Sequence, residues 1–245
     1  MLRERIACVL LGALAVWAAG AYAVVMILAY PHLSDPDQRA VFLMGGLLLL
    51  IWCVIGGALM RTFRDRFKAL MARVRVRWQV KFFLLFLVGA LLEEAVTTSL
   101  TNAAPLLGGV TDAARITASK NYLEVVCKHS VVVFVPGFVA WTIVLSLWDF
   151  RPSEVMLLWG LMGWLAEWMT FGSHNIGMVG MWVWVYGLMV YLPAHAVPPD
   201  RKVWRVRWWV YPVPFLVTVV CGILYYVAGS LAIQALRSLW WPYRS

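Results

Sequence analysis

The sequence predicts an all-α protein: a polytopic membrane helix bundle of about seven transmembrane helices, which forms a single transmembrane domain over residues 1–245. Hydrophobic residues make up 63% of the chain and charged residues only 13%, whereas soluble domains carry about 25% charged residues. The apolar runs are about as long as the roughly 20 residues that a membrane span needs. These runs nearly fill the chain and leave no room for a soluble domain.

Each predicted span is an apolar run that ends in polar or proline-rich sequence. The seven runs are approximately Ile6 to Tyr30, Val41 to Met60, Gln79 to Leu100, Tyr122 to Trp148, Glu154 to Phe171, Ile176 to His195 and Trp209 to Leu236. The first run follows a basic amino terminus, as in a signal peptide, but it exceeds the roughly 7–15 apolar residues of a signal sequence. We therefore expect it to be a retained span.

The distribution of basic residues predicts the orientation. If the amino terminus is cytoplasmic, the inner segments hold 15 of the 21 Lys and Arg residues and the outer segments hold six. Basic residues concentrate on the cytoplasmic side of membrane proteins. The sequence thus predicts a cytoplasmic amino terminus, an external carboxyl terminus and a location in the cell membrane as a multi-pass protein.

The basic segment 61–78 has apolar residues at helical spacing, including Phe63, Phe67 and Leu70. Such a pattern is typical of an interfacial amphipathic helix on an anionic leaflet, although a solvated basic loop fits it equally well. The net charge of +9 comes from residues between apolar runs and not from one folded basic face, which argues against nucleic acid as a partner. The lipid bilayer is the one partner that the sequence indicates, and protein partners are not predicted.

Two adjacent carboxylates, Glu93 and Glu94, interrupt the third apolar run. A charge near the centre of a bilayer costs about 2.5–3.5 kcal/mol on insertion scales, so such residues usually have a function or a partner. Glu167 lies at a similar distance from the inner end of its own run, so all three carboxylates are expected at one depth, about 21 Å from the inner surface. Gly160 and Gly163 share a helix face with Glu167 and predict that it points into the bundle.

Two histidines are expected near the same level. His129 lies near the outer end of the fourth run, and His174 shares a helix face with Glu167 if the fifth helix continues through the sequence GSHN. Carboxylates and imidazoles in a low dielectric share protons, bind a divalent metal or form structural ion pairs. Glu167, His129 and His174 are the candidate ligands for a metal such as zinc or iron, and Glu93 and Glu94 are the candidate catalytic bases.

The adjacent glutamates are similar to the Glu-Glu pair of the CPBP-type intramembrane metalloproteases. That family has an Arg four residues after the pair and a Phe four residues before a ligand His. Here Thr98 and Val125 stand at those positions, and Ser173, His174 and Asn175 only loosely resemble the family's last motif. The chain is therefore not assigned to that family.

Other seven-helix classes fit less well. The last run contains no Lys for a retinal Schiff base, and the predicted cytoplasmic amino terminus is opposite to that of a G-protein-coupled receptor. Paired His129 and His174 would suit one haem, but nothing else in the sequence supports haem. Two functions remain: a membrane-embedded metal-dependent hydrolase, or a small transporter or other non-catalytic membrane protein that uses the carboxylates for proton or cation exchange or for structural pairing.

Overall fold

The computed structural model describes residues 2–240, without the side chains of residues 171, 173–175 and 233–240. Within that range the regular secondary structure is helical, and the one β-bridge is an isolated pairing of Trp148 with Trp204. The α-helices are α1 (Leu2–Val24), α2 (Pro36–Leu48), α3 (Gly57–Arg73), α4 (Trp78–Asn102), α5 (Tyr122–Glu124), α6 (Val131–Leu147), α7 (Pro152–Phe171), α8 (Val179–His195) and α9 (Val213–Trp240).

Several α-helices are extended by turns of wider or tighter pitch. The π-helical turns are Val25–Ala29, Leu49–Gly56 and Val125–His129, and the 3-10 turns are Tyr30–His32, Ala104–Leu107, Ser173–Met178 and Trp208–Val210. The turn Leu49–Gly56 joins α2 to α3, so that Pro36–Arg73 forms one helical segment of 38 residues. At about 1.5 Å per residue this segment exceeds a hydrocarbon core about 30 Å thick. Residues 61–73 therefore continue the preceding helix, and an interfacial location of segment 61–78 stays a prediction.

The prediction of an all-helical fold is confirmed within the described residues, and several of the helices are compatible with a membrane protein. Four segments of the described chain are long and apolar enough to cross a membrane, namely Leu2–His32, Pro36–Arg73, Ile176–His195 and Trp208–Ala232. A fifth consists of Tyr122–His129 and Val131–Leu147, which meet at an angle of 51°. All seven predicted runs are helical, but the number of seven spans and the orientation of the termini remain predictions.

Helix α8 occupies the centre of the bundle and packs against α7, α4 and α1. Glycines allow the helix backbones to approach closely. A Cβ on Gly160 of α7 would lie 2.2 Å from the Val183 carbonyl oxygen of α8, and one on Gly89 of α4 would lie 2.2 Å from the Met189 carbonyl oxygen. Any larger residue at these positions would push the helices apart, so the glycines set the spacing around α8.

The amino-terminal ends of α1 and α7 meet the chain that leads into α9 around Glu154, which is 2% exposed. Its carboxylate accepts hydrogen bonds from the backbone N–H of Arg151 at 2.7 Å and from the Tyr211 hydroxyl at 2.5 Å. Arg3 Nε lies 3.8 Å from the same carboxylate, and the Arg3 guanidinium also donates to the backbone carbonyls of Val206 and Asp149. These contacts connect α1 and α7 with the chain that leads into α9.

Candidate functional site

A cavity of about 790 Å³ lies between the helices at the end of the bundle opposite to Glu154. Glu93, Glu94 and Glu167 all line it, as the depth estimate from the sequence predicts. The remaining wall is largely apolar and aromatic. It includes Tyr22, Val41, Phe42, Leu48, Val133, Phe134, Met178, Met181, Trp182 and Tyr186.

Helix α4 supplies the adjacent glutamates. Glu93 is 4% exposed and Glu94 is 7% exposed, so both side chains are buried within the bundle. Glu93 lies one helical turn after Gly89, a residue at which α4 packs closely on α8. The close packing of α4 on α8 therefore turns the glutamates toward the interior of the bundle.

Two hydroxyl groups bind the Glu94 carboxylate. Ser130 Oγ donates a hydrogen bond to Oε1, and Thr97 Oγ1 lies 3.3 Å from Oε2. Both contacts are made inside the bundle, where a hydrogen bond to a carboxylate is stronger than in water. Glu94 is thereby held in one orientation.

The position of Ser130 depends on a break in the helical chain. Ser130 has φ −123° and ψ −80°, outside the helical range, and it separates the π-helical turn Val125–His129 from α6. The two helical pieces meet at 51°. Pro136, in the second turn of α6, has no N–H to donate to the Val132 carbonyl and weakens the helix near the break. The break directs the Ser130 hydroxyl at Glu94.

Helices α7 and α8 position the third carboxylate. The Tyr186 hydroxyl of α8 donates a hydrogen bond to Glu167 Oε1. A Cβ on Gly163, one turn before Glu167, would lie 2.2 Å from the Tyr186 Cγ atom, so the glycine makes room for the tyrosine ring. The prediction that Glu167 shares a small-residue face and points into the bundle is confirmed.

Glu93 differs from its neighbours because its carboxylate has no hydrogen bond and no ion pair with any side chain in residues 2–240 whose position is described. Its electrostatic neighbours are Glu94 and Glu167, which carry the same charge when ionised. A buried carboxylate with like charges beside it is unfavourable in its ionised form unless a proton or a cation neutralises it. Glu93 is therefore the carboxylate of this cavity most in need of a ligand.

The segment 103–121 covers one side of the cavity, with Arg115, Ile116, Thr117 and Ala118 in the wall. It is attached to α4 through Thr101, whose Oγ1 lies 3.0 Å from Thr117 Oγ1 and accepts a hydrogen bond from the Ile116 N–H at 3.2 Å. Within the segment, Lys120 Nζ lies 2.7 Å from Asp112 Oδ1, and this contact lowers the pKa of the Asp112 carboxyl. The covering segment is thus a structured element.

A second attachment joins this covering segment to α2. Asp37 is 7% exposed, and its Oδ1 accepts hydrogen bonds from the backbone N–H groups of Val110 at 2.7 Å and Thr111 at 3.1 Å. The Thr111 hydroxyl donates to Oδ2. Sequence reasoning did not identify Asp37, because an Asp in the first turn of a helix usually serves as a local cap. Nothing in its own neighbourhood indicates a partner more than 70 residues away.

The two histidines occupy different positions around the cavity. His129 ends the π-helical turn Val125–His129, and it is exposed at the rim. The side chain of His174 lies outside the described part of the chain. Among the side chains that the structure describes, no three His, Cys, Asp or Glu residues converge as a metal site.

The expectation that His174 shares a helix face with Glu167 was wrong. Helix α7 ends at Phe171, and Gly172 has φ +86°, a value that L-amino acids with a Cβ rarely adopt. The chain then continues as the 3-10 turn Ser173–Met178. The glycine of GSHN stops the helix, so the periodicity of α7 does not extend to His174.

Sequence reasoning also missed Ser130 and Tyr186, which hold Glu94 and Glu167. A single hydroxyl in an apolar run is too common to indicate a site by itself. With these residues included, the cavity can hold a proton or a cation against Glu93 while the other two carboxylates are oriented by hydrogen bonds. No family model, curated protein or solved structure matches the chain.

Proposed function

We propose that this chain is a multi-pass protein of the cell membrane that exchanges protons or cations between its intramembrane cavity and the outer face. Seven spans, a cytoplasmic amino terminus and an external carboxyl terminus complete the proposal. The observation that carries it is the buried Glu93 carboxylate, which has like-charged neighbours and no hydrogen-bond or ion-pair partner in the described part of the chain.

Electrostatics favours uptake of positive charge at this site. Glu93, Glu94 and Glu167 line one cavity, and each ionised carboxylate added to a low-dielectric region raises the cost of the others. Binding a proton or a cation removes that repulsion. A group that gains so much from neutralisation is suited to pick up and release positive charge, as intramembrane carboxylates do in pumps and transporters.

The contacts between loops support the alternation of sides. Segments that the count of basic residues assigns to the inner side meet each other, since Arg3 contacts Asp149 and Val206. Segments assigned to the outer side also meet, since Asp37 binds Val110 and Thr111. The cavity lies beside this second group, which is the reason for proposing an outward opening.

The test is ion flux in liposomes that contain the purified protein and a trapped pH indicator. We expect an imposed proton or cation gradient to drive exchange in the wild-type protein, and Glu93→Gln and Glu94→Gln to reduce exchange to the level of protein-free liposomes. Glu124→Gln is the matched control, because Glu124 pairs with Lys128 and does not line the cavity. Flux that persists in both cavity variants would contradict the proposal.

A metal-dependent hydrolase is the second candidate. The observation that favours it is that Glu93, Glu94, Glu167 and His129 line one cavity, so a base and candidate ligands are available around the same space. In this alternative Glu93 or Glu94 would serve as the general base for a water molecule, and Glu167, His129 and His174 would hold a zinc or iron ion that acts as a Lewis acid.

Metal analysis separates the two candidates. The hydrolase predicts about one bound zinc or iron per purified chain, lost in Glu167→Gln and in His174→Ala. Protein that is purified without metal and that is insensitive to chelators would exclude this candidate. If the substitutions at Glu93, Glu94 and Glu167 lower only the unfolding temperature, with no effect on flux or metal content, the cluster is structural and both candidates are wrong.

A further inference from the structure

We propose that the ligand of the cavity is a hydrophobic organic cation, a molecule with one positive charge on an aromatic or aliphatic body. This inference rests on the proposed function, because it names the class of cation that the same site would take. Three features of the cavity carry it: its size, its aromatic wall and the position of its unpaired polar groups.

The cavity is much larger than a proton or a metal ion requires. Its volume is about 790 Å³, whereas a water molecule occupies about 30 Å³ of liquid. Sites for small organic molecules have volumes of about 300–1,000 Å³ and are lined mainly by hydrophobic and aromatic side chains with a few polar groups. The size of this cavity therefore fits an organic ligand.

The aromatic wall is suited to a cation with an apolar body. Phe134 and Tyr186 meet edge to face with ring centroids 5.6 Å apart, and the ring centroids of Trp182 and Tyr186 are 5.9 Å apart. Phe42 lines the cavity from α2. Aromatic faces attract a positive charge by about 0.5–2 kcal/mol, and most strongly where water is excluded. They also accommodate the apolar part of the ligand.

Two unsatisfied polar groups belong to the same wall. The Glu93 carboxylate has no hydrogen bond within the described part of the chain, as noted above, and the buried Nε1 of Trp182 likewise has no acceptor there. A cation beside Glu93 would neutralise the carboxylate, and a polar atom on the ligand body would accept from the indole N–H. A neutral apolar ligand would leave the carboxylate unpaired, and an anion would be repelled by it.

A pair of ions of equal shape and opposite charge provides the experiment. Tetraphenylphosphonium and tetraphenylborate differ mainly in the sign of their charge, and their binding to purified full-length protein in detergent is measured by isothermal titration calorimetry. We expect the phosphonium ion to bind and the borate ion not to bind. Glu93→Gln should weaken phosphonium binding by about tenfold or more, and Phe134→Leu by several-fold.

Two further variants control for loss of folding. Glu93→Asp keeps the charge and should retain most of the affinity, and Glu124→Gln should bind the phosphonium ion as the wild-type protein does. Equal binding of the two ions, or phosphonium binding that Glu93→Gln leaves unchanged, would overturn the inference.

The outcomes also separate this inference from the proposed function. Exchange of protons or inorganic cations in liposomes without phosphonium binding means that the proposed function holds and that the ligand class is wrong. Phosphonium binding that depends on Glu93, without any ion exchange, supports the ligand class and contradicts the exchange function.

Discussion

Gly163 has no side chain, and the space this leaves determines the geometry of the acidic cavity, the cavity that Glu93, Glu94 and Glu167 line. A Cβ there would lie 2.2 Å from Tyr186 Cγ and 2.3 Å from its Cδ2, far inside normal van der Waals contact. The ring is in turn the group that brings a hydroxyl to Glu167. The residue at position 163 therefore controls a hydrogen bond that it does not make.

We expect Gly163→Ala to destabilise the protein by about 1–3 kcal/mol, the usual cost of inserting a methyl group into a packed core. The ring must move away from α7, which also weakens the hydrogen bond between Tyr186 and Glu167. The measurement is thermal or denaturant unfolding of the purified protein in detergent.

Gly222→Ala is the matched control for that substitution. Gly222 lies within α9, and a Cβ there meets no atom within 4 Å. Alanine is intrinsically better than glycine in a helix by about 1 kcal/mol, so this variant should be as stable as the wild-type protein or more stable. Equal stability of the two variants would mean that the contact between Gly163 and Tyr186 is not part of the native packing.

The hydrogen bonds of Glu167 give a second prediction at this scale. Tyr186→Phe removes the hydroxyl and keeps the ring, so it should cost about 1–3 kcal/mol of stability by leaving the half-buried Glu167 carboxylate without that donor. Tyr226→Phe is the matched control, because it removes a hydroxyl from an exposed tyrosine on α9. Unfolding curves that coincide for Tyr186→Phe and Tyr226→Phe would exclude a stabilising role for the hydroxyl.

The residues of the site differ in how far the sequence predicts them. Glu93, Glu94 and Glu167 are recognisable because a carboxylate in an apolar run is rare and costly. Counting residues along each helix also places them at one depth. Ser130 and Tyr186 are not recognisable, because their roles depend on a break in one helix and on the packing of α7 against α8.

At the scale of an element, Asp37 connects the amino-terminal end of α2 to the covering segment 103–121. Three hydrogen bonds from Val110 and Thr111 converge on its two carboxylate oxygens. Like Thr101, it holds this segment beside the cavity. Releasing Asp37 should therefore loosen the segment while the helices stay packed.

We expect Asp37→Ala to increase amide hydrogen exchange in residues 103–121 and to lower stability by about 1–3 kcal/mol, since the N–H groups of Val110 and Thr111 lose their acceptor. Hydrogen exchange measured by mass spectrometry tests the local effect. Asp112→Asn is the control, because it removes the exposed ion pair with Lys120 and leaves the Asp37 contacts intact. If residues 103–121 exchange at the same rate in Asp37→Ala as in the wild-type protein, Asp37 does not have this role.

The helices themselves were easier to predict than their interruptions. Each apolar run is long enough for about five to eight helical turns, and in a bilayer its backbone hydrogen bonds must be satisfied within the segment, which makes a helix the expected result. Gly172 ends α7 through its positive φ, and Ser130 breaks the segment Val125–Leu147 near Pro136. Both interruptions depend on the backbone conformation of single residues, which the average hydrophobicity of a run does not predict.

At the scale of the whole molecule, burial decreases from the centre of the bundle to its edge. Within the apolar stretch that could cross the membrane, 56% of residues are buried for Ile176–His195, 11% for Leu2–His32 and none for Trp208–Ala232. The acidic cavity borders the most buried of these helices. The costly carboxylates thus lie near the centre, and the apolar surface of α9 lies at the edge, where lipid would cover it.

The proposed topology predicts which loops are reachable from outside the cell. In a cysteine-free background, Ser34→Cys, Ala113→Cys and Gly177→Cys place a thiol at exposed positions on the proposed outer side, and Arg75→Cys and Asp200→Cys place one on the inner side. A membrane-impermeant maleimide should label the first group in intact cells and the second group only after permeabilisation. The contacts of Asp37 with Val110 and of Arg3 with Asp149 join loops of the same side. All cysteines of one group should therefore be labelled under the same conditions. A complete reversal would show the opposite orientation, whereas different labelling within one group would show that the number of spans is not seven.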